Sequence, residues 1–276
     1  MQIRILGKCR FRPSGGFVKP KIFWYALHQP MVALCLDSLT FRCGWTSQTP
    51  PLSQILHPPL RLFTKYMYKL GMSKAWMFTD VFGLDPDLLA MLPQPVVALI
   101  LLFPETENIK KADRERLIAI ERDGQTVSPN VYFLKQTIGN ACGTVGLLHA
   151  VLNVQEQVNL ESPLKEFAEK TKALSPDERA TYMESDKSLS VAHEESAQEG
   201  QTEAPSAEDH VNNHFIALIN KDGCIYEMDG RKEFPINHGA TTADTFLNDA
   251  AKVCQEFMKH DPNEVRFTVV ALAKKD

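Results

Sequence analysis

The chain has 276 residues, 44% hydrophobic and 23% charged, enough for one sizeable buried core in one or two domains. Its strongest apolar run, Pro95 to Phe103, is far below the roughly 20 residues of a membrane-spanning helix, and its six scattered cysteines have neither zinc-ligand nor disulfide-framework spacing. The net charge of −4 hides an asymmetry: residues 1 to 61 hold eight Lys/Arg against the single acid Asp37, leaving 22 basic and 33 acidic residues after them, which argues against a nucleic-acid site and for a basic protein partner.

Residues 1 to 61 contain seven of the seventeen prolines and show no sustained period, so they are predicted to be a poorly ordered extension preceding a domain over 62 to 276. Their basic, nearly acid-free character leaves mitochondrial targeting open, although free thiols in the domain suit the cytoplasm first and the nucleus also. Phe63, Met67 and Leu70 share a helical face before Gly71, and Asp85 to Met91 reads as a short helix capped by its aspartate. Val96 to Phe103 is apolar throughout, the pattern of a central strand buried on both faces. Helices are predicted over Asn108 to Arg122, Cys142 to Asn153, Pro163 to Lys172 and Pro176 to Glu184. Val191 to Asn213 is rich in glutamate and poor in large apolar residues, as a mobile lid or binding loop would be. Two short strands, a helix over Ala243 to Lys259 and a final strand over Val265 to Leu272 complete the chain.

Chemistry concentrates in two places. Cys142 opens a helix after a polar loop, and a helix N-terminus favours the thiolate. Cysteine statistics alone favour a small buried hydrophobe instead. His214 stands where the acidic loop meets the strand Phe215 to Ile219, and Asp222-Gly223 suits a two-residue type I′ hairpin leading to Cys224 to Asp229. If Lys221 pairs with Cys224, His214 is the diagonal neighbour of Asp229; if the turn slips to pair Asn220 with Gly223, the two are directly opposite. Either register brings an imidazole to a carboxylate, the base-and-orienter pair that activates a thiol. Gln136, six residues before the cysteine, is positioned to donate to an oxyanion together with the Cys142 backbone N–H.

Val131-Tyr132-Phe133-Leu134-Lys135-Gln136-Thr137-Ile138-Gly139-Asn140-Ala141-Cys142-Gly143-Thr144 resembles the active-site signature of the ubiquitin carboxyl-terminal hydrolases. The likeness continues through Glu199 to Pro205, His214 to Leu218, Met228-Asp229-Gly230-Arg231 and Pro235 to Gly239, and is strongest to the small isozyme that also accepts the ubiquitin-like modifier of cullins. It implies an α/β (α+β), papain-like thiol protease fold, with a central antiparallel sheet flanked by helices and a backbone knot. The implied activity is hydrolysis after the C-terminal glycine of ubiquitin or a ubiquitin-like protein, by a monomer that needs no metal or cofactor. By matched position, Cys142 is implied as nucleophile, His214 as proton shuttle, Asp229 as orienter and Gln136 as oxyanion donor. Val191 to Asn213 is similar to the family's crossover loop, which limits leaving groups to small or flexible adducts. Ubiquitin contacts are implied for Ala197-Gln198-Glu199-Gly200-Gln201-Thr202-Glu203-Ala204 and for Glu264-Val265-Arg266-Phe267. Residues 1 to 62 lack the short strand and Trp-Leu-Pro segment with which the family opens. The loss of a strand would leave a sheet edge unpaired, which makes a weakly active ubiquitin-binding protein the second reading. Another thiol acyl-transfer enzyme is the third.

Overall fold

A computed structural model describes residues 58–138, 141–189, 191 and 212–275. Six antiparallel strands form one sheet in the order β1-β6-β2-β3-β4-β5: β1 Trp76–Asp80, β2 Val96–Pro104, β3 Asn213–Lys221, β4 Cys224–Met228, β5 Ile236–Ala240 and β6 Thr268–Lys274. Helices among the described residues include α1 Pro58–Lys69, α2 Pro86–Leu89, α3 Glu107–Asp123, α4 Cys142–Asn153, α5 Gln155–Val158, α6 Leu164–Thr171, α7 Pro176–Ser185 and α8 Phe246–Lys259.

β2 is buried at all nine positions because it lies inside the sheet with helices on both faces. Ile100 and Leu102 face one core with α1, α4, α6 and α7, whereas Leu99, Leu101 and Phe103 face a second core with α8 and Ile109 of α3. The parity of one strand therefore divides the interior into two apolar layers.

Most predicted elements stand where the sequence places them, and α4 has the predicted bounds. Thr106 caps α3 through Ile109 N, Asp85 caps α2 through Leu88 N, and Ser175 with Glu178 forms a capping box on α7. Phe63, Met67 and Leu70 are all buried. Helix α1, however, starts at Pro58, inside the segment read as an extension. Prolines taken as breakers are compatible with a first helical turn, where a backbone N–H has no partner to lose. Residues 1–57, the greater part of that segment, lie outside the described residues, as does nearly all of the loop Val191 to Asn213.

Four further differences have identifiable causes. Helix α8 begins at Phe246 rather than Ala243 because Thr242 and Thr245 exchange backbone-to-hydroxyl hydrogen bonds of 3.1 and 3.2 Å, holding a turn ahead of the helix. Strand β6 begins at Thr268 rather than Val265 because the Glu264 carboxylate accepts from the amides of Val265 and Arg266, at 2.9 and 2.8 Å. Strand β1, not anticipated, buries Trp76 and Phe78 in alternation and pairs with β6 from Trp76↔Lys274 to Asp80↔Val270. Strand β5 contains Asn237, His238 and Gly239, which have little strand preference of their own, and is made a strand by pairing with β4.

Candidate active site

The hairpin adopts the first of the two registers, with Lys221 opposite Cys224 and Ala217 opposite Met228. Asp222 and Gly223 have φ of 50° and 78°, both positive as a type I′ turn requires. Asp229 follows the last paired residue of β4, and His214 lies at the start of β3 opposite Phe103. The diagonal closes: His214 Nε2 donates to Asp229 Oδ1 at 2.7 Å, both side chains being buried. Oδ1 also accepts from the Arg231 amide at 2.9 Å, and the His214 ring stands edge-on to Phe103. A carboxylate can only accept here, so Nε2 carries the proton and Nδ1 is the nitrogen left for the thiol.

Cys142 is the first residue of α4 and is also buried. Its thiol and the His214 ring are close enough to move each other's protonation, although Nδ1 has no hydrogen bond of full geometry among the described residues. Burial pushes the thiol up, but the hydrogen bond and charge of His214, with the Arg231 guanidinium, outweigh it and hold it below its ordinary value. Burial likewise pushes the imidazole down, yet Asp229, by charge and hydrogen bond, and then Cys142 raise it to about 9. Asp229 is held low: burial opposes its ionisation, and His214, Lys232 and the Arg231 amide overcome it. All three shifts favour thiolate, imidazolium and carboxylate side by side.

Gln136 reaches the same place from another segment. Its amide donates to Gly230 O at 2.7 Å, and its side-chain Nε2 donates to Ile138 O at 3.0 Å. One N–H of the side chain is thus engaged, and Oε1 is buried with no partner among the described residues. Gly230 is the contact between the two halves: a Cβ there would stand 2.7 Å from Val145 Cγ1 and 3.1 Å from the Gln136 backbone nitrogen. Only glycine lets the hairpin end approach both α4 and the Gln136 segment this closely. Gly143 carries no such requirement, since a Cβ there would make ordinary contact with Phe215 at 3.6 Å. Gly139 and Asn140 lie outside the described residues.

Two residues of α4 that sequence reading passed over hold the Gln136 segment in place. The Asn153 side chain accepts from Tyr132 N at 2.7 Å and donates to Tyr132 O at 2.8 Å, while His149 Nε2 lies 3.1 Å from both N and O of Leu134. The His149 ring stacks on Phe133 and is pushed down to about 4, chiefly by burial, so it is neutral. A histidine and an asparagine four residues apart on an otherwise apolar helix were the available signal, because buried polar groups require partners.

Of the implied ubiquitin contacts, Ala197 to Ala204 lie outside the described residues. Val265 is 80% exposed, Glu264 and Arg266 form an ion pair at 2.5 Å, and Phe267 is buried in the second core. They precede β6 at the end of the sheet where β3 begins: Leu102 pairs with both Phe215 and Thr268, one step from His214. Phe82, which follows β1 at that same end, is 61% exposed.

The family model described as ubiquitin carboxyl-terminal hydrolase, family 1, matches residues 58–259. The ubiquitin carboxyl-terminal hydrolase of Drosophila melanogaster is 51% identical over 211 residues, covering 76% of this chain and 92% of that one. Isozyme L1 of Rattus norvegicus is 49% identical over 218 residues, covering 77% and 94%. Among solved structures, the catalytic domain of Trichinella spiralis UCH37 bound to ubiquitin vinyl methyl ester superposes with a TM-score of 0.60 at 22% identity, covering 78% of this chain and 93% of that one, a likeness of fold. A family model spanning most of the chain, together with relatives near 50% identity, establishes that this chain is a cysteine-type member of the ubiquitin carboxyl-terminal hydrolase family.

Proposed function

We propose that the chain hydrolyses amide, ester or thioester bonds at the C-terminal glycine of ubiquitin or a ubiquitin-like protein, with Cys142 as nucleophile. The observation that carries this reading is the buried 2.7 Å pair of His214 and Asp229 beside a thiol at a helix N-terminus. With the thiol ionised, its sulfur attacks the glycine carbonyl and the carbonyl electrons move onto oxygen. The imidazolium then protonates the leaving group as the C–N, C–O or C–S bond breaks, leaving a thioester on Cys142. His214, now neutral at Nδ1, takes a proton from water as the water oxygen attacks the thioester; the C–S bond then breaks, returning the thiolate beside the imidazolium, and the C-terminal acid departs, losing its proton to solvent. Asp229 keeps the ring in one tautomer and supports its charge through both halves of the cycle.

Gln136 is the proposed side-chain donor to the oxyanion. To serve, its amide turns from Ile138 O or offers its second N–H, a small adjustment expected on substrate binding. Exposed Phe82 and Val265 at the His214 end of the sheet are apolar side chains available to a docked protein there. The acid surplus of the domain favours a basic partner, and the UCH37 neighbour holds a ubiquitin derivative. We further propose that Val191 to Asn213 restricts the leaving group to small or flexible adducts, processing precursors and recycling ubiquitin.

The test is turnover of a fluorogenic ubiquitin C-terminal amide by the full chain and by Cys142→Ala. Turnover that vanishes in the variant is expected. Ubiquitin binding without turnover by the unaltered chain would overturn the assignment.

A further inference from the structure

Behind the hairpin that carries Asp229 lies a cluster of charges drawn from four places in the chain. Glu227 of β4 is fully buried: its Oε2 accepts from Arg116 Nη1 and His238 Nε2, each at 2.8 Å, and its Oε1 accepts from Lys232 Nζ at 2.5 Å. Asp113 Oδ1 accepts from Arg116 Nη2 at 2.5 Å and from Lys232 Nζ at 2.6 Å. Two cations thus face two carboxylates across α3, β4, β5 and the loop after β4. Withdrawing such groups from water costs several kcal/mol per ion, more than apolar bracing of a hairpin would require. The cluster does not end in the core, since Lys232 Nζ lies 3.9 Å from Asp229 Oδ2. Oδ1 is occupied by His214 and the Arg231 amide, so Lys232 is the cation on the opposite side of the carboxylate.

We propose that Lys232 is a positioning residue of the hydrolase, holding Asp229 from its free oxygen and linking the proton affinity of His214 to the ion cluster anchored by Asp113, Arg116 and Glu227. This rests on the function proposed above. Lys232 is faced by Asp113 and Arg116 from α3, Glu227 from β4 and Asp229 from its own loop, and Glu227 in turn accepts from His238 of β5. Asp229 is faced by His214 from β3, His149 from α4, and Lys232 and Arg231, the last paired with Glu105 at 2.7 Å. Helix α8 contributes the buried thiol of Cys254 beside Glu227.

The inference fixes opposite signs for two substitutions. Lys232→Met removes a positive charge near His214, so the imidazolium gives up its proton at higher pH. Asp113→Asn removes an anion that offsets Lys232, so the imidazolium gives up its proton at lower pH. Asp113 is partly exposed, and its variant is expected to fold. The full chain and both variants, with Lys232→Arg, are compared in the pH profile of kcat/KM on a fluorogenic ubiquitin C-terminal amide. The pH dependence of Cys142 alkylation by iodoacetamide is measured beside it and requires no turnover. The basic limb is expected to move up in Lys232→Met and down in Asp113→Asn, each by about 0.5 pH unit or more, and to return in Lys232→Arg. The alkylation midpoint is expected to move in the same directions. Limbs and midpoints that stay in place, or move together, while Tm falls would reduce Lys232 to a structural brace and overturn the proposal. Absence of turnover in the unaltered chain would instead refute the function, with alkylation still deciding the role of Lys232.

Discussion

Asp229→Asn is the sharpest perturbation of the proposed triad, because it removes charge and little else. An asparagine Oδ1 still accepts from His214 Nε2 and from the Arg231 amide, which now stand 2.7 and 2.9 Å from the carboxylate. Burial is the largest influence on His214 and acts downward, and the charge and hydrogen bond of Asp229 are the chief forces that raise it to about 9. Without the carboxylate the ring is expected to fall to about its ordinary 6.5 or below. That loss of about 2.5 pH units corresponds to about 3 kcal/mol of lost support for the imidazolium, at about 1.4 kcal/mol per unit. At neutral pH and above, most of the thiolate–imidazolium pair would disappear. Steady-state hydrolysis of a fluorogenic ubiquitin C-terminal amide from pH 5 to 10 reads this directly. The unaltered chain should lose kcat/KM as pH rises through about 9, whereas in Asp229→Asn the basic limb should lie near or below neutrality. kcat should fall by about 10²- to 10⁴-fold with KM nearly unchanged. A basic limb that stays near 9 in the variant, or a kcat within threefold of the parent, would refute the assignment of Asp229 as the group that charges His214.

Two further outcomes follow from the packing around the site. His149 is buried and neutral, with a folded value of about 4 against an ordinary 6.5, so the unfolded chain takes up a proton that the folded chain refuses between those values. The sign is therefore loss of stability as pH falls from about 6.5 to 4, by up to about 3 kcal/mol, and full stability from this group above 6.5. Urea unfolding at pH 7 and pH 4.5 should show the loss in the parent and a smaller one in His149→Gln; an equal loss in both would acquit the histidine. Gly230→Ala places a methyl 2.7 Å from Val145 Cγ1, which should cost about 1–3 kcal/mol and lower kcat by displacing α4 from the hairpin, and a variant with parental Tm and kcat would show that the approach is not tight.

The sequence by itself determined the features that depend on near neighbours along the chain. The I′ turn at Asp222-Gly223 sets the register of β3 and β4, and the register sets His214 diagonal to Asp229, all within sixteen residues. Capped helices and the continuously apolar β2 were legible for the same reason: period, caps and breakers are local signals. The long signature around Cys142 named the family from residue identity alone. Tertiary structure decided what required distant segments to meet. It made a strand of Ile236–Ala240 by pairing it with β4, and it placed β1 beside β6, almost two hundred residues away. It brought the Cys142 thiol to His214, which no spacing rule could do across some seventy residues. Glu227, Lys232, Arg116 and Asp113 each read as an ordinary surface charge in sequence, and only the closing of α3 over β4 gathers them into a cluster against Asp229, with Glu227 and Lys232 buried. Local free-energy preferences are written residue by residue, whereas the electric field at an active site is a sum over space, so it exists only once the chain has folded.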